Sequence, residues 1–204
     1  KNAQTGMVEF EPAKVDFIRS YDPEPDMNLT DIERAAKMIN NSVKPFVLVG
    51  QGVELGSAQK ELCTFLEKAD LPCGTTFLGL SAIPSDHRLN KGILGMHGNL
   101  GPNVMTNQCD LLIAVGMRFD DRVTGNLATY AKQAKIIHFD IDPAEFNKNV
   151  TVDLAVLGNC KETLPAVTKL MDKAQHTSWI GGFKPYEEKE YTKVIDKALH
   201  PTEG

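Results

Sequence analysis

The sequence lacks the features that mark membrane-bound, secreted and nucleic-acid-binding proteins. No apolar run approaches the roughly 20 residues that cross a bilayer, and no signal peptide is visible. The net charge of -5 at pH 7 comes without a basic stripe that could neutralise phosphates. We therefore expect a cytoplasmic protein that binds neither nucleic acid nor a membrane surface.

Cysteine is scarce and is never arranged as a metal site. The four cysteines are isolated and form no Cys-x-x-Cys pair: Cys63, Cys73, Cys109 and Cys160. This pattern predicts reduced core residues in a reducing compartment. The five histidines also lack the spacing of metal ligands. We therefore predict no structural metal in this chain.

Length and composition predict one domain with a segment at either end. The 204 residues can bury one sizeable core, and 42% apolar and 24% charged residues are ordinary values for a globular protein. We expect an extended lead-in at 1–28, a folded α/β domain at 29–175, and at 176–204 a linker whose polar helix (186–199) leads toward a further domain. Because the chain begins at Lys1 without a methionine, we expect a fragment of a longer protein.

Between residues 45 and 172, β-rich apolar runs alternate with helical stripes. This alternation predicts an α/β fold, a doubly wound, Rossmann-like parallel sheet of five to six strands with helices on both faces. The predicted strands are 45–49, 72–76, 111–115, 135–139 and 152–157. The predicted helices are 30–41 with a Thr30–Glu33 capping box, one with the stripe Leu55, Leu62 and Phe65, 99–109, and one carrying Leu164, Val167, Leu170 and Met171. The sequence predicts an irregular stretch from 77 to 98.

Charged residues follow two neighbouring predicted strands. Four of them come directly after strand 111–115: Arg118, Asp120, Asp121 and Arg122. The carboxyl ends of parallel strands are where open α/β sheets bind ligands, although such charges can also pair with one another in an exposed loop. Asp140 and Asp142 follow strand 135–139 and can hold ribose hydroxyls or cap a helix, and Asp142 is the expected capping residue.

A glycine-rich turn follows the first predicted strand. Gly50, Gly52 and Gly56 could bring backbone N–H groups against a phosphate, or the turn could need glycine only for its geometry. A standard NAD site also requires an Asp or Glu at the end of the next strand, which here ends in Thr76. We therefore expect no nicotinamide dinucleotide bound in the standard way.

Three motifs resemble those of one enzyme family. They are Gly-Met-His-Gly at 95–98, Gly-Met-Arg-Phe-Asp-Asp-Arg-Val-Thr-Gly at 116–125, and Ile-Ile-His-Phe-Asp-Ile-Asp-Pro-Ala-Glu at 136–145. Together they resemble the middle domain of the catalytic subunit of acetolactate synthase (acetohydroxyacid synthase). The resemblance covers nearly the whole chain, and the run from Arg118 to Gly125 is highly specific. Other thiamine-diphosphate enzymes share the fold without that run.

The resemblance implies a three-domain transferase that uses thiamine diphosphate (thiamine pyrophosphate) and magnesium. That enzyme condenses two pyruvates, or pyruvate and 2-oxobutanoate, with loss of CO2 in the biosynthesis of valine, leucine and isoleucine. Its middle domain holds most of an FAD that takes no part in the net reaction, and the family implies a homo-oligomer with a small regulatory subunit. The chain has no Gly-Asp-Gly followed by Asn-Asn, so the diphosphate–magnesium site is expected elsewhere and this chain alone should be inactive.

Carried over position by position, the resemblance also implies the site residues. The implied FAD contacts are Arg19, Gly50, Thr76, Phe77, Leu78, Leu94, Gly95, Met96, His97, Gly116, Met117, Arg118, Phe119, Asp120, Asp121, Asp140, Ile141 and Asn159. Arg122 and Met96 are implied to face the substrate and herbicide channel. Asn159 stands where the family commonly has Asp, which keeps a polar contact and loses a charge.

Two alternative functions remain open at this point. One is the middle domain of a pyruvate-oxidase-type enzyme, whose flavin is redox-active, although the Arg-Phe-Asp-Asp-Arg run disfavours it. The other is a non-catalytic scaffold with an empty nucleotide cleft. Titration with FAD tests the second alternative.

Overall fold

The computed structural model describes residues 5–7, 9 and 22–199. Arg19 and most of the expected lead-in 1–28 lie outside this range. The strands in the described part are β1 (Pro45–Val49), β2 (Cys73–Thr75), β3 (Asn90–Ile93), β4 (Leu111–Val115), β5 (Lys135–Asp140) and β6 (Leu154–Leu157). The α-helices there are α1 (Leu29–Asn40), α2 (Gly52–Leu55), α3 (Gln59–Lys68), α4 (Leu100–Thr106), α5 (Asp121–Thr124), α6 (Cys160–Leu170), α7 (Thr177–Gly181), α8 (Lys184–Glu190) and α9 (Asp196–Leu199). Two 3₁₀ turns lie at Phe77–Ala82 and Pro143–Glu145, and a π-helical segment, Tyr191–Ile195, joins α8 to α9.

All six strands are parallel, in the order β3-β2-β1-β4-β5-β6. This order confirms the predicted doubly wound, Rossmann-like sheet. Every residue of β1 and β4 is buried, as expected for continuous apolar runs that are covered on both faces. The strand order reverses between these two central strands, and a crevice therefore opens at their carboxyl ends.

An apolar core lies on each face of the sheet. Because side chains alternate along a strand, Val47 and Val49 point into one core while Phe46 and Leu48 point into the other. Helices α1, α3 and α6 cover the first core, and α4, α7 and the start of α8 cover the second. In the described part of the chain, no helix combines the length and apolar character needed to cross a bilayer.

Part of the segment expected as a linker packs into the second core. The indole Nε1 of Trp179 donates a 2.7 Å hydrogen bond to the carbonyl oxygen of Pro45. The ring of Phe183 is fully buried and lies 5.4 Å from the ring of Phe46 and 5.7 Å from that of Trp179, centroid to centroid. α7 and the start of α8 are thereby fixed near the amino end of β1, at the end of the sheet opposite the crevice.

The cysteines are free thiols, as predicted. Cys73, Cys109 and Cys160 are buried, and Cys63 is half-buried. Burial, with a smaller contribution from the nearby Asp110, raises the pKa of Cys109 to about 12. Such a thiol remains protonated at neutral pH and serves as a core residue.

Two local predictions are wrong. The irregular stretch predicted for 77–98 contains β3, a half-buried edge strand in which only Ile93 carries a sizeable apolar side chain. Helix α1 is capped by Asn28, whose Oδ1 accepts from the N–H of Thr30 at 2.9 Å, so Thr30 is not the cap of a box with Glu33. Asn28 itself is a favoured capping residue, placed two positions earlier.

The predicted burial of two residues on the helical stripes is also wrong. Leu55 ends the separate helix α2 and is 76% exposed, because the chain turns between α2 and α3. Leu170 ends α6 with an exposed side chain, whereas Leu164, Val167 and Met171 are buried as predicted.

Candidate functional site

Two glycine turns meet where the strand order reverses. The N–H of Gly50 donates to the carbonyl oxygen of Val115 at 2.9 Å, and the N–H of Gly52 donates to that of Gly116 at 2.8 Å. A Cβ on Gly50 would lie 2.2 Å from the carbonyl oxygen of Gly116, so a larger residue cannot fit there. Gly116 has φ +57°, which glycine adopts without a steric cost. These turns form the floor of the crevice.

Four N–H groups of the first glycine turn donate to backbone carbonyl oxygens of the protein. Besides Gly50 and Gly52, the N–H of Val53 donates to the carbonyl oxygen of Gly50, and that of Glu54 donates to the carbonyl oxygen of Gln51 at 3.0 Å. These four donors are therefore not free to bind a phosphate. Of the two interpretations left open by the sequence, the structure favours the one in which glycine is needed for the turn and the close approach of the loops.

A cleft of about 650 Å³ lies above this floor, at the carboxyl ends of the central strands. Its volume falls within the roughly 300–1,000 Å³ of typical ligand pockets. Thirteen residues that the sequence predicted for cofactor or substrate contact line it: Thr76, Phe77, Leu78, Leu94, Met96, His97, Gly116, Met117, Arg118, Asp120, Arg122, Asp140 and Ile141. The fold thus brings together residues from segments as distant as 76 and 141.

Five predicted contact residues within the described range lie away from this cleft wall: Gly50, Gly95, Phe119, Asp121 and Asn159. Gly50 lies in the floor, and the ring of Phe119 is buried against Tyr130 and His138. Gly95 and Asp121 line an adjacent cavity of about 360 Å³ that shares Met96 and Arg122 with the cleft. Asn159 caps α6, where its Oδ1 accepts from the N–H of Lys161 at 3.0 Å.

Seven residues that are absent from the FAD and substrate contacts implied by the resemblance also line the cleft: Gln51, Gly52, Leu55, Ile93, Val123, Asp142 and Glu145. Asp142 and Glu145 stand in the third motif, Val123 stands in the second, and Gln51 and Gly52 stand in the glycine turn, so a signal existed for these five. No comparable signal existed for Leu55 and Ile93, because an isolated apolar residue is normally assigned to the core.

Asp140 supplies a fixed carboxylate at the tip of β5. Its side chain is largely buried, and Oδ1 accepts from the N–H of Asp142 at 3.0 Å. Its Oδ2 lies 3.5 Å from Nε2 of His138, a fully buried residue of the same strand. Asp142 caps the following 3₁₀ turn by accepting from the N–H of Ala144 at 2.9 Å, which confirms its predicted role. A carboxylate held in this way can accept hydrogen bonds from ligand hydroxyls.

Apolar side chains are unusually exposed at the cleft. Phe77 is 73% exposed and Met96 is 60% exposed, and Leu78 and Ile141 are exposed beside them. Large apolar groups that are exposed together mark a binding surface rather than ordinary surface variation. The cleft therefore combines an apolar wall with a few placed polar groups, as ligand sites do.

The charged turn after β4 is only partly self-paired. Asp120 caps α5 by accepting from the N–H of Arg122 at 3.0 Å, and the guanidinium of Arg118 lies 3.8 Å from the Asp120 carboxylate. Within the described residues, no carboxylate forms an ion pair with the guanidinium of Arg122. Arg118 therefore pairs with Asp120, whereas the guanidinium of Arg122 is available to a ligand.

The geometry agrees with a comparison against known families. The family model described as "Thiamine pyrophosphate enzyme, central domain" matches residues 32–167, well over half of the chain. The chain belongs to this family. The matched range runs from α1 through most of α6, and it includes all six strands of the sheet and the cleft.

Relatives of this central domain include large subunits of one enzyme. The chain is 43% identical over 168 residues to the probable acetolactate synthase large subunit of Methanocaldococcus jannaschii, an alignment that covers 80% of this chain and 28% of that protein. It is 41% identical over 165 residues to the acetolactate synthase large subunit of Corynebacterium glutamicum (80% and 26%). It is 38% identical over 173 residues to the isozyme 2 large subunit of Escherichia coli (85% and 31%). The similarity confirms the resemblance indicated by the motifs, and the chain spans less than a third of the length of these relatives.

Proposed function

We propose that this chain is the FAD-binding central domain of an acetolactate synthase. The whole enzyme condenses two pyruvates, or pyruvate and 2-oxobutanoate, with loss of CO2 in the biosynthesis of valine, leucine and isoleucine. One observation carries the proposal: His97, Arg118 and Asp140, which come from the three motifs, line a single cleft at the switch point of the sheet. The acetolactate synthase names of the relatives support it and disfavour a pyruvate-oxidase-type enzyme.

The chemistry of the cleft fits FAD. The exposed side chains of Phe77, Leu78 and Met96 offer an apolar surface for a flat ring system. The fixed carboxylate of Asp140 suits a ribose hydroxyl, and the exposed guanidinium of Arg118 suits a diphosphate. By the family resemblance, the flavin supplies no step of the net reaction, so these residues would bind and orient it.

Catalysis would depend on parts of the enzyme outside this chain. We propose that the sites for thiamine diphosphate and Mg²⁺ lie in other domains, and that this chain contributes Arg122 and Met96 to the substrate channel. The "large subunit" names of the relatives support a smaller partner, which we propose to be the regulatory subunit of a homo-oligomeric enzyme. We propose a cytoplasmic location for the assembly.

The cofactor proposal is tested on the full-length protein by measuring flavin retained after extensive dialysis. We expect one FAD for each copy of this domain, released and identified by absorbance and mass. Asp140→Ala should weaken retention, because each lost hydrogen bond from a hydroxyl to the carboxylate contributes about 1.5–3 kcal/mol. Exposed Asp172, which lies outside the cleft, provides the control variant Asp172→Ala, which should keep its flavin.

Two outcomes would contradict the proposal. If native protein carries no flavin and binds none from added FAD, the chain is an empty scaffold of the same fold. If Asp140→Ala retains as much flavin as wild type, the ribose assignment is wrong. Acetolactate formation from pyruvate by the full-length protein, with thiamine diphosphate, Mg²⁺ and FAD present, tests the whole-enzyme activity separately.

A further inference from the structure

The loop that carries Met96 and His97 into the cleft is rich in glycine. Gly92 and Gly95 have φ of +107° and +93°, and Gly98 adds a third glycine within seven residues. Glycine loses more conformational freedom on folding than any other residue, so ordering this loop carries a high entropic cost. Contacts from outside the loop are needed to hold it in one conformation.

Asn99 closes the base of this loop. Its Oδ1 accepts from the N–H of Ile93 at 2.8 Å, and its own N–H donates to the carbonyl oxygen of Ile93 at 2.8 Å. Ile93 lies in the edge strand β3, and in the described part of the chain no further strand pairs with the outer side of β3. The side chain of Asn99 thus takes the place of a missing strand and sets the start and end of the loop side by side.

Glu190 in turn fixes Asn99 from the far end of the chain. One oxygen of its carboxylate accepts from Nδ2 of Asn99 at 3.0 Å, and the other accepts from the N–H of Leu100 at 3.2 Å. Because a carboxylate can only accept, it holds the Nδ2 side of the Asn99 amide and leaves Oδ1 facing Ile93. Both carboxylate oxygens of this half-buried residue are therefore used at the base of the loop.

The helix that carries Glu190 is anchored on the same side. Phe183, Glu187 and Glu190 follow one another at helical spacing and face β3 and α4. Lys91 of β3 lies 3.6 Å from the Glu187 carboxylate and 5.8 Å from the centroid of the Phe183 ring. A displacement of α8 would therefore move Glu190 relative to Asn99.

We infer that Glu190 is a positioning residue that couples the C-terminal helix to the Met96–His97 loop of the cleft. The coupling is a property of the fold, and its effect on ligand binding rests on the proposed FAD function. A movement of α8 that withdraws the carboxylate frees the Asn99 amide and loosens the loop. The state of the helix that leads toward the following segment is thereby transmitted to one wall of the cleft.

The test exchanges the two partners in the full-length protein. In Glu190→Gln, the new NH2 group faces one of the two donors that the carboxylate accepted from, the Asn99 amide or the N–H of Leu100. In Asn99→Asp, the new carboxylate faces that of Glu190. Each single variant should therefore loosen the loop. In the double variant Glu190→Gln/Asn99→Asp, the new amide at 190 donates to the new carboxylate at 99, and the acceptors for Ile93 and Leu100 are kept. Restoration by the double variant requires a direct interaction between the two positions.

Hydrogen exchange of the amides of Ile93 to Leu100 is the first measurement, and it needs no cofactor. Each single variant should raise their exchange rates about tenfold, as expected for the loss of a hydrogen bond to a charged group. The double variant should return close to the wild-type rates. Glu188→Gln is the matched control, because the exposed carboxylate of Glu188 on the same helix pairs with Lys184 at 3.8 Å and lies away from Asn99. Unchanged loop exchange in both single variants would overturn the inference.

The rate of FAD dissociation is the second measurement. It should rise in the single variants and recover in the double variant. A purely structural role would change stability without changing the rate of FAD dissociation. Faster loop exchange with an unchanged FAD dissociation rate would overturn the coupling to the ligand. Wild-type protein that binds no FAD would instead refute the proposed function, and hydrogen exchange alone would then test the coupling between Glu190 and the loop.

Discussion

The imidazole Nε2 of His138 lies 2.9 Å from the carbonyl oxygen of Met117. Because a carbonyl oxygen only accepts, the proton is on Nε2, and among the described residues Nδ1 has no hydrogen-bond partner. This bond joins β5 to the loop after β4, and both line the cleft. The fully buried ring is enclosed by Phe119 and Phe146, each 5.2 Å away between centroids.

Loss of this bond should destabilise the domain. His138→Leu leaves the Met117 carbonyl without its partner, and the free energy of unfolding in urea should fall by about 1–3 kcal/mol. His138→Gln has a similar size and keeps an N–H near the position of Nε2, so it should lose less. Equal losses in the two variants would show that the ring, and not the hydrogen bond, is what matters.

Asp110 should make the stability depend on acid. Burial opposes its ionisation, but hydrogen bonds from Ser42 Oγ and from the N–H groups of Val43 and Lys44 outweigh this and hold the pKa of Asp110 below its ordinary value of 3.8. Its stabilisation is therefore complete above pH 3.8 and is lost as the pH falls through the folded-state pKa.

Asp110→Ala is the variant that checks this dependence. At pH 7 it should lower the free energy of unfolding by about 1–3 kcal/mol, through the lost hydrogen bonds between the α1–β1 loop and the start of β4. Below pH 3.8 the difference from wild type should shrink. Asp172→Ala, at an exposed position, is the control. A difference in unfolding free energy between wild type and Asp110→Ala that stays constant across this pH range would contradict the assignment.

The floor of the crevice should not tolerate a methyl group. Gly50→Ala places a Cβ 2.2 Å from the backbone oxygen of Gly116, and the resulting displacement should cost about 1–3 kcal/mol or more. Gly181→Ala in α7 meets no atom within 4 Å and should be neutral or stabilising by up to about 1 kcal/mol. Urea unfolding of both variants measures the contrast, and similar effects would argue against close approach at the floor.

Under the proposed function, Arg122 should act in catalysis through its guanidinium. In the full-length enzyme, Arg122→Lys should retain flavin and stability but lower kcat/KM by about tenfold or more, equivalent to about 1.4 kcal/mol, because lysine cannot form a bidentate contact with a carboxylate. Arg88→Lys is the control, since Arg88 pairs with Asp70 outside the cleft. Wild-type kinetics in Arg122→Lys would assign Arg122 to the structural charges of the loop.

The sequence predicted the centre of this fold better than its edges. β1 and β4 were predicted at their observed bounds, because a strand buried on both faces must be continuously apolar. β3 was missed because a half-buried edge strand does not need a continuous run of apolar residues. Asn28 was missed as a cap because Asn28 and Thr30, two positions apart, can each start a helix, and only the backbone geometry decides between them.

The candidate site was predictable where chemistry and motif coincide, as at Arg118 and Asp140. The contact between Asn99 and Glu190 was not predictable, because it joins residues 91 positions apart. No local pattern in a single sequence encodes such a pairing. It becomes visible only when the topology places α8 beside β3.

Trp179 gives the domain a built-in optical reporter. It is the one tryptophan in the sequence, and its indole is buried with Nε1 bonded to the Pro45 carbonyl. Undocking of α7 would expose this indole to water and shift its fluorescence to longer wavelength. Emission from an unlabelled sample therefore reports, at one known position, whether the C-terminal helices are seated on the sheet.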